Sequence, residues 1–377
     1  MIKTGDFTFH EDLKDEIDVL FGTEKDMQEL SLVRFLPYVV GLATEEKHEW
    51  REDTLNPESI TLTASGAGAD WDTNNDITGL PVPAGTIARL KEGSMLKLGT
   101  GEVVRVKSVD TVGNTIDLTK RGHGSTAAAA QGAVAFTAYI IGDAQTDGDD
   151  PIDASNLVPT DVYNFVQILE EVISLSGTVL RSKVSREQER ARQKAIKLKY
   201  LLSQLNFAMW EGVREKVTNI ASMQGIRNRT TLTKNVGGAL TQDDVYEALE
   251  AQLKAGGHPT ALHGSFHTIA CVEKLFAAYL STTGSARNPD LTVNSISILG
   301  RKLELHTDKH VLDSELFPID YSRVRYGTLE NPGTPTGAFA TYIVEDNGKQ
   351  LEEQIVGYYT IEQTHAGASV TRMYGIS

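Results

Sequence analysis

The stretch from Ser185 to Thr218 constrains the fold more than any other part of the chain. Its apolar side chains recur at spacings of three and four, the period of one helix face, at Leu198, Leu202, Leu205, Met209, Val213 and Val217. Ser185 and Gln188 have capping-box spacing, and no proline interrupts the run. The pattern predicts one helix about 50 Å long. Such a helix favours a building block that spans distance over an enzyme that closes around a small substrate.

The two halves of this predicted helix differ in character. The first half is basic, with Arg181, Lys183, Arg186, Arg190, Arg192, Lys194, Lys197 and Lys199. Two interpretations stay open: a solvated charged face, or a stripe turned toward phosphate or an acidic neighbouring subunit. The spacing of Arg186, Arg190, Lys194 and Lys197 predicts a shared face away from the core, with acidic residues such as Asp12, Asp15 and Glu16 of an adjacent subunit as the favoured partner. The second half, Leu201 to Trp210, is apolar on more than one face and is expected to be buried.

Composition narrows the class of protein. The chain has 377 residues, 40% of them hydrophobic, and a net charge of −15, which argues against a protein that coats nucleic acid with its whole surface. Its one cysteine, Cys271, cannot form an internal disulfide and is expected to be a buried structural thiol. No signal peptide or transmembrane run of about 18 apolar residues is apparent.

The first half of the chain is divided by changes in pattern. Residues 1–45 suggest an arm, with an amphipathic patch at Leu13, Ile17, Leu20 and Phe21 amid acidic residues. Residues 46–75 are polar, and Trp50 and Trp71 within them are expected to be buried at interfaces. Residues 76–142 alternate short strand patterns with turns, which predicts a small antiparallel β module. The acidic stretch after it (Asp147, Asp149, Asp150 and Asp153) is interpreted as a linker; a calcium site is conceivable there, but EF-hand spacing is absent.

The second half of the chain mixes helices and strands. Residues 163–181 fit either element, because their apolar spacing is helical while Val179 and Leu180 favour a strand. Helices are predicted at 241–255, with Thr241 as the cap, and at 266–280. Strands are predicted at 260–263, 295–298, 302–307, 324–326, 338–344, 355–363 and 370–376. This order indicates an α+β fold with helices on a mostly antiparallel sheet.

The sequence contains only weak candidates for a catalytic or metal-binding site. The phosphate-loop, dinucleotide, zinc-protease and nucleophile-elbow motifs are absent from the sequence. His263 and His267 are four apart, but Gly264 between them disfavours a shared helix face for a metal, and a Ser–His pair for acyl transfer would need a third group. The cluster from His306 to His310 follows a strand and is interpreted as a turn. The sequence thus predicts no catalytic, cofactor-binding or metal-binding residues, and its absence of a catalytic constellation favours a structural protein over an enzyme.

Several motifs resemble one known family. Residues 101–106 (GEVVRV), 115–122 (TIDLTKRG) and 124–127 (GSTA) are similar to a β insertion, SLSGTV at 174–179 precedes the long helix, and GRKLEL at 300–305 is followed by Val311, Leu312 and Asp313. Together with the order of parts, they resemble tailed-phage major capsid proteins of the Hong Kong 97-type fold, in the branch with a β-rich insertion. The resemblance covers most of the chain.

The resemblance implies a division of the chain. Residues 1–45 would be an N-terminal arm, and 46–182 an extended loop with the insertion at 76–142. Residues 183–235 with 338–365 would form the spine helix and peripheral domain, and 236–337 with 366–377 the axial domain. The lysine–asparagine cross-link of some relatives has no matching positions here.

The resemblance also implies a function. The chain would be a non-enzymatic major capsid protein that assembles, without cofactors, into hexamers and pentamers of an icosahedral or prolate shell around phage double-stranded DNA. Its partners would be itself, portal, scaffolding and possibly decoration proteins, and packaged DNA by weak contact only, with no membrane. It would be assembled in the host bacterial cytoplasm and reside in the virion. The alternatives are a tail-tube or decoration protein, against which the long helix counts, and a hydrolase using His263 or His267.

Overall fold

The chain divides into two compact units. One consists of Met1–Trp50 with Val162–Ser377, and the other of Arg51–Asp161. The computed structural model describes residues 30–53, 59–63, 76–87, 90–119, 123–126, 135–144, 159–176, 185–277, 280–284, 292–330, 339–346 and 350–377. The mixture of helices and mixed sheets confirms the α+β class.

The elements of the described residues are numbered in chain order. The helices are α1 (Ser31–Phe35), α2 (Ala84–Ile87), α3 (Ser185–Glu211), α4 (Ile226–Arg229), α5 (Gln242–Lys254), α6 (Phe266–Leu275) and α7 (Ala366–Ser369). The strands are β1 (Tyr38–Ala43), β2 (Lys47–Glu52), β3 (Ser59–Thr63), β4 (Ile77–Pro81), β5 (Ser94–Leu98), β6 (Val103–Asp110), β7 (Thr115–Thr119), β8 (Ala135–Asp143), β9 (Thr160–Phe165), β10 (Gln167–Ser176), β11 (Glu215–Val217), β12 (Ile220–Ser222), β13 (Leu232–Gly238), β14 (Ala261–Gly264), β15 (Leu280–Gly284), β16 (Thr292–Ile298), β17 (Arg301–Thr307), β18 (Glu315–Ile319), β19 (Val324–Leu329), β20 (Ala340–Asp346), β21 (Gln350–Gln363) and β22 (Thr371–Ile376).

The long helix α3 has 27 residues, about 40 Å, and ends earlier than the sequence predicts. The predicted extension to Thr218 is wrong. The returning chain packs against Gly212, where a Cβ atom would lie 2.3 Å from the Met223 carbonyl oxygen. Val213 and Val217 are therefore outside the helix and 64% and 57% exposed. The chain folds instead into the hairpin β11–β12, with Thr218 in the left-handed region at its turn.

A five-stranded sheet lies beside α3 in the larger unit. The long strand β21 pairs with β10 along one edge, and with β20 and then β19 along the other; β1 pairs with β19 in parallel. Leu198, Leu202, Leu205 and Met209 of α3 join the core against this sheet, as the periodicity predicts.

Residues 167–176 resolve the ambiguity between helix and strand in favour of a strand. In β10, Leu169, Ile173 and Leu175 are buried toward α3, while Ile168 and Val172 on the opposite face are exposed. This is the two-residue period of a strand with one covered face, and the apolar residues of both faces together imitate a helical spacing. Val179 and Leu180 lie outside the described residues.

A seven-stranded mixed sheet forms the rest of the larger unit, in the order β13-β22-β18-β14-β17-β16-β15. The helices α5 and α6 contribute to its core. The prediction of α5 is confirmed, including Thr241, whose side chain forms a capping box with Asp244. The helix predicted to reach residue 280 ends at Leu275, and Leu280 begins β15. The sequence missed β18, because its Pro318 is atypical of a central strand.

The smaller unit is a six-stranded antiparallel sheet in the order β3-β8-β5-β6-β7-β4. Its end strands β3 and β4 contact each other, so the sheet curls around its own apolar core. The first strand, Ser59–Thr63, precedes the 76–142 module expected from the sequence. The strands β2 and β9 form a separate two-stranded pair.

Candidate functional site

Asp308 is fully buried just after β17 and is surrounded by hydrogen-bond donors. Its Oδ2 accepts from the Ser31 amide and hydroxyl at 2.9 and 2.7 Å and from Trp210 Nε1 at 3.0 Å. Asn206 Nδ2 donates to Oδ1 and Oδ2 at 3.0 and 2.9 Å, and the His310 amide donates to Oδ1 at 2.9 Å. We call Ser31, Asn206, Trp210, Asp308 and His310 the Asp308 junction.

The Asp308 junction holds the start of α1 against α3 and the end of β17. The first amides of a helix lack partners within the helix. Here Asp308 accepts from the Ser31 amide, and Asn206 Oδ1 accepts from the Leu32 and Val33 amides at 3.2 and 3.3 Å. A buried carboxylate is stable only when donors replace its water, and these donors come from distant parts of the chain. The junction therefore fixes the point at which the N-terminal residues join the body of the unit.

His263 of β14 extends the junction on the side of the seven-stranded sheet. Its Nδ1 lies 2.7 Å from Ser31 Oγ, and its Nε2 lies 2.8 Å from Tyr321 Oη. Burial, with a smaller contribution from neighbouring His306, holds the pKa of His263 well below its usual 6.5. Because the Ser31 hydroxyl donates to Asp308, the neutral ring donates from Nδ1 to Ser31 and accepts at Nε2 from Tyr321.

These residue types include those of a catalytic triad, but their order is different. A triad places histidine between serine and aspartate, so that the ring can take the hydroxyl proton. Here Ser31 lies between His263 and Asp308, and all three side chains are buried. This geometry links the start of α1 to β14 and to the end of β17, and it is not the geometry of a catalytic triad. His267, the other histidine of the sequence candidate, is exposed on α6, so the structure does not bring the two histidines together as a pair.

A second polar site lies beneath the basic half of α3. Glu353 of β21 is fully buried and pairs with Arg190, whose Nε lies 3.0 Å from its Oε2, and Lys197 donates to Glu171 of β10 at 2.7 Å. Lys194, between them, is buried. The prediction that this face points away from the core is wrong for these three cations, because Lys194 is buried and the strands beneath α3 present carboxylates to Arg190 and Lys197. The side chain of Arg186 lies outside the described residues.

A third polar site lies at the C-terminal end of α3. The buried Glu315 of β18 accepts from Arg227 Nη2 at 2.5 Å and from Arg372 Nε at 3.0 Å. Arg227 also pairs with Glu211, the last residue of α3. Burial raises the pKa of Glu211, against the opposing effect of Arg227. Ion pairs therefore hold both ends of α3 to the neighbouring elements, and the hydrogen bonds of the Asp308 junction hold the helix between these two sites.

The remaining sequence candidates have mixed outcomes. Cys271, expected to be buried, is half-exposed on α6, with its Sγ 3.9 Å from His267 Nε2. Trp50 is half-buried against His48 and the guanidinium of Arg229, which lies 5.1 Å from its ring. Trp71 and the acidic stretch from Asp147 to Asp153 lie outside the described residues.

The described part of the chain lacks two kinds of feature. It contains no cluster of three or more histidine, cysteine or acidic side chains placed to hold a metal ion. Nor does it contain a helix that combines the length and apolar character needed to span a bilayer.

The sequence predicts a turn from His306 to His310 but not the hydrogen-bonding role of Asp308 within it. In the structure a turn does follow β17, and Asp308 is the hydrogen-bond acceptor at the centre of the Asp308 junction. The sequence feature that indicates this role is the presence of Asn206 and Trp210 in the apolar half of α3. An amide and an indole N–H on a buried helix face each require a polar partner.

Comparison with known proteins gives a family match and structural similarities. A family model described as SU10 major capsid protein matches residues 2–371. The capsid asymmetric unit of cyanophage A-1(L) is similar at 10% identity over 63% of this chain and 85% of that one, with a TM-score of 0.46. An encapsulin complex from Synechococcus elongatus is similar at 13% identity over 60% of this chain and 78% of that one, with a TM-score of 0.43. A structure from Mycobacterium phage Bobi is similar at 15% identity over 61% of this chain and 79% of that one, with a TM-score of 0.41. No curated protein matches the chain.

Proposed function

Because the chain belongs to the SU10 major capsid protein family, we propose that it assembles into hexamers and pentamers of a closed icosahedral or prolate shell around phage double-stranded DNA. The family match over residues 2–371 carries this proposal. It also confirms the major capsid protein predicted from the sequence.

We assign the parts of the Hong Kong 97-type subunit as the resemblance implies. Residues 1–45 are the arm, and 46–182 the extended loop with its insertion at 76–142. Residues 183–235 and 338–365 are the peripheral domain, and 236–337 and 366–377 the axial domain. Support comes from β20 and β21, which lie in the sheet beside α3, and from β13 to β18 and β22, which form the other sheet. The sheet beside α3 also contains β1, β10 and β19, which the assignment gives to the arm, the loop and the axial domain.

The charge of the subunit suits a container. On the basic face of α3, Arg190 pairs with Glu353 and Lys197 pairs with Glu171, so both cations have acidic partners within the chain. With a net charge of −15, the subunit would bind DNA only weakly, which favours packing and release of the genome. Portal, scaffolding and possibly decoration proteins are the further partners, the host cytoplasm is the place of assembly, and the virion is the destination.

The face of the five-stranded sheet opposite α3 is a candidate contact between subunits. Ile168 and Tyr358 lie directly opposite each other on β10 and β21, and both are exposed, as is Tyr342 of β20. Aromatic and β-branched side chains exposed together on a sheet face are typical of interfaces.

The proposal is tested by assembly of the purified full chain, followed by sedimentation velocity at increasing concentration. Wild-type protein is expected to form large, discrete particles. The Ile168→Glu variant is expected to remain unassembled. The control variant Val112→Glu, which changes an exposed turn of the smaller unit, is expected to assemble normally. A wild-type chain that remains a monomer at every concentration, alone and beside the other head proteins, would overturn the proposed function. Normal particles from Ile168→Glu would refute only the assigned contact face.

A further inference from the structure

Three histidines surround the short helix α1: His263 of β14, His306 of β17 and His310 in the following turn. His263 Nδ1 lies 2.7 Å from the hydroxyl of Ser31, the first residue of α1. The ring of His306 stacks on that of Phe35, the last residue of α1, with 3.6 Å between the centroids. We call these three residues the α1 histidines. Because histidine changes its charge near neutral pH, their placement links the position of α1 to pH.

His310 acts on α1 through Asn206. The Oδ1 atom of Asn206 accepts from the Leu32 and Val33 amides, so its Nδ2 is the donor to His310 Nδ1 at 2.9 Å. His310 Nδ1 must therefore carry a lone pair, and a proton there would set two donors against each other. Protonation of His310 thus opposes the residue that satisfies the first amides of α1.

Burial keeps the α1 histidines neutral. It is the largest effect on all three and lowers each pKa from its usual 6.5, that of His263 well below it. Two carboxylates act in the opposite direction: Glu304 Oε2 lies 3.2 Å from His306 Nε2, and Asp308 Oδ1 lies 3.7 Å from His310 Nδ1. Burial outweighs both, so the docked position of α1 disfavours a proton on any of the three rings.

His263 has no carboxylate in direct contact within the described part of the chain. Its Nε2 lies 2.8 Å from Tyr321 Oη, and the His306 ring lies 5.1 Å from its own. A proton on His306 would repel one on His263 and lower its pKa further. Asp308 reaches His263 through the Ser31 hydroxyl, which contacts both.

Positive charge on α1 adds to the effect of burial. Arg34 lowers the pKa of His306, and Lys309 acts on His310 in the same way. The Nη1 atom of Arg34 is buried and has no hydrogen-bond acceptor among the described residues. A protonated His306 would therefore lie near a guanidinium whose own charge is incompletely compensated.

We propose that α1 is a pH-sensitive latch, in which protonation of the α1 histidines releases residues 30–36 from the body of the larger unit while both of its large sheets stay folded. At neutral pH the Asp308 junction and the burial of Leu30, Leu32 and Leu36 hold the latch closed. The latch lies within one subunit and does not depend on the proposed shell.

The direction of the pH effect follows from the two states. The docked rings have a lowered pKa, whereas rings that reach water on release regain a pKa of about 6.5. The released state therefore binds more protons, and docking weakens as the pH falls below that value. At pH 5.5 each ring that regains its usual pKa favours release by up to about tenfold relative to pH 7.5.

Hydrogen exchange of the unassembled full chain, followed by mass spectrometry from pH 7.5 to 5.5, tests the latch. Rates are converted to protection factors with the intrinsic rate at each pH, so that the pH dependence of the exchange chemistry cancels. Protection of residues 30–36 is expected to fall about tenfold or more. Protection of α5, whose core residues belong to the other sheet, is expected to stay within about twofold.

Two substitutions remove the titrating groups and keep the contacts. His306→Phe retains a ring that can stack on Phe35, and His310→Asn places an amide oxygen where Nδ1 accepts from Asn206. The double variant is expected to lose severalfold less protection at 30–36 than wild type, and each single variant an intermediate amount. His267→Asn, an exposed position on α6, is the matched control and should behave as wild type.

Three results would overturn the proposal. Constant protection of residues 30–36 from pH 7.5 to 5.5 would show that α1 is not released. A loss that runs parallel in 30–36 and α5 would show general unfolding instead of a local latch. A wild-type response in both single variants would show that the α1 histidines do not control it.

Discussion

Removing the Asn206 side chain is expected to loosen the N-terminal residues from the body of the larger unit. Asn206→Ala deletes the donor to Asp308, a hydrogen bond to a charged group worth about 1.5–3 kcal/mol. It also leaves the buried Leu32 and Val33 amides without their acceptor, at about 1–3 kcal/mol each. Alanine recovers about 0.5 kcal/mol through its higher helix propensity. The expected loss in the free energy of unfolding is at least about 3 kcal/mol.

The measurement is urea unfolding of the unassembled subunit, followed by tryptophan fluorescence, to which the buried Trp210 contributes. The matched control is Gln204→Ala, two residues earlier on α3 and half-buried. Its expected change is within about 0.5 kcal/mol, as for most surface positions. Hydrogen exchange at residues 30–36 should accelerate only in Asn206→Ala. Equal losses in the two variants, or unchanged exchange at 30–36, would refute the role assigned to the Asp308 junction.

Three further predictions concern the core, the end of α3 and pH. Leu205→Ala should cost about 2–5 kcal/mol in chemical unfolding, because Leu205 is buried against the five-stranded sheet; a loss below about 0.5 kcal/mol would place it at the surface. Gly212→Ala should cost about 1–3 kcal/mol, because its Cβ would meet backbone carbonyls, whereas Gly238→Ala, with open space around it, should not; equal costs would contradict the packing argument. Burial lowers the folded-state pKa of His263 and His306 from 6.5, so the unfolded chain binds more protons than the folded chain below about that pH. The free energy of unfolding should therefore fall on acidification by up to about 1.4 kcal/mol per pH unit for each histidine, and His263→Gln should reduce this slope. A wild-type free energy of unfolding that stays constant from pH 7.5 to 5.5 would contradict this prediction.

Local signals in the sequence were sufficient for much of the secondary structure. Thr241 and the paired glycines predict both ends of α5, and the spacing of Leu198, Leu202 and Leu205 predicts the buried face of α3. Gly212 was visible as a weak helix former, but the reason it ends α3 is the backbone of residues 223–225, which the sequence does not place nearby. Helical spacing at Val213 and Val217 is therefore coincidental.

The polar sites depend on pairings that the sequence cannot supply. Ser31 and Asp308 are 277 positions apart, and Arg190 and Glu353 are 163 apart. Charged residues on a helix favour solvent unless the fold brings an opposite charge beneath them, so the basic half of α3 was expected to be exposed. The sheet strands β10 and β21 reverse that expectation by presenting Glu171 and Glu353 to it.

The central claim, that this chain is the subunit of a closed shell, is tested most directly by electron microscopy of particles purified after the full chain is produced with the other head proteins of its phage. The account predicts closed shells of uniform diameter, built of hexamers and pentamers, in which this chain is the principal protein. Open tubes, or isolated subunits under every condition beside shells built of another protein, would contradict it.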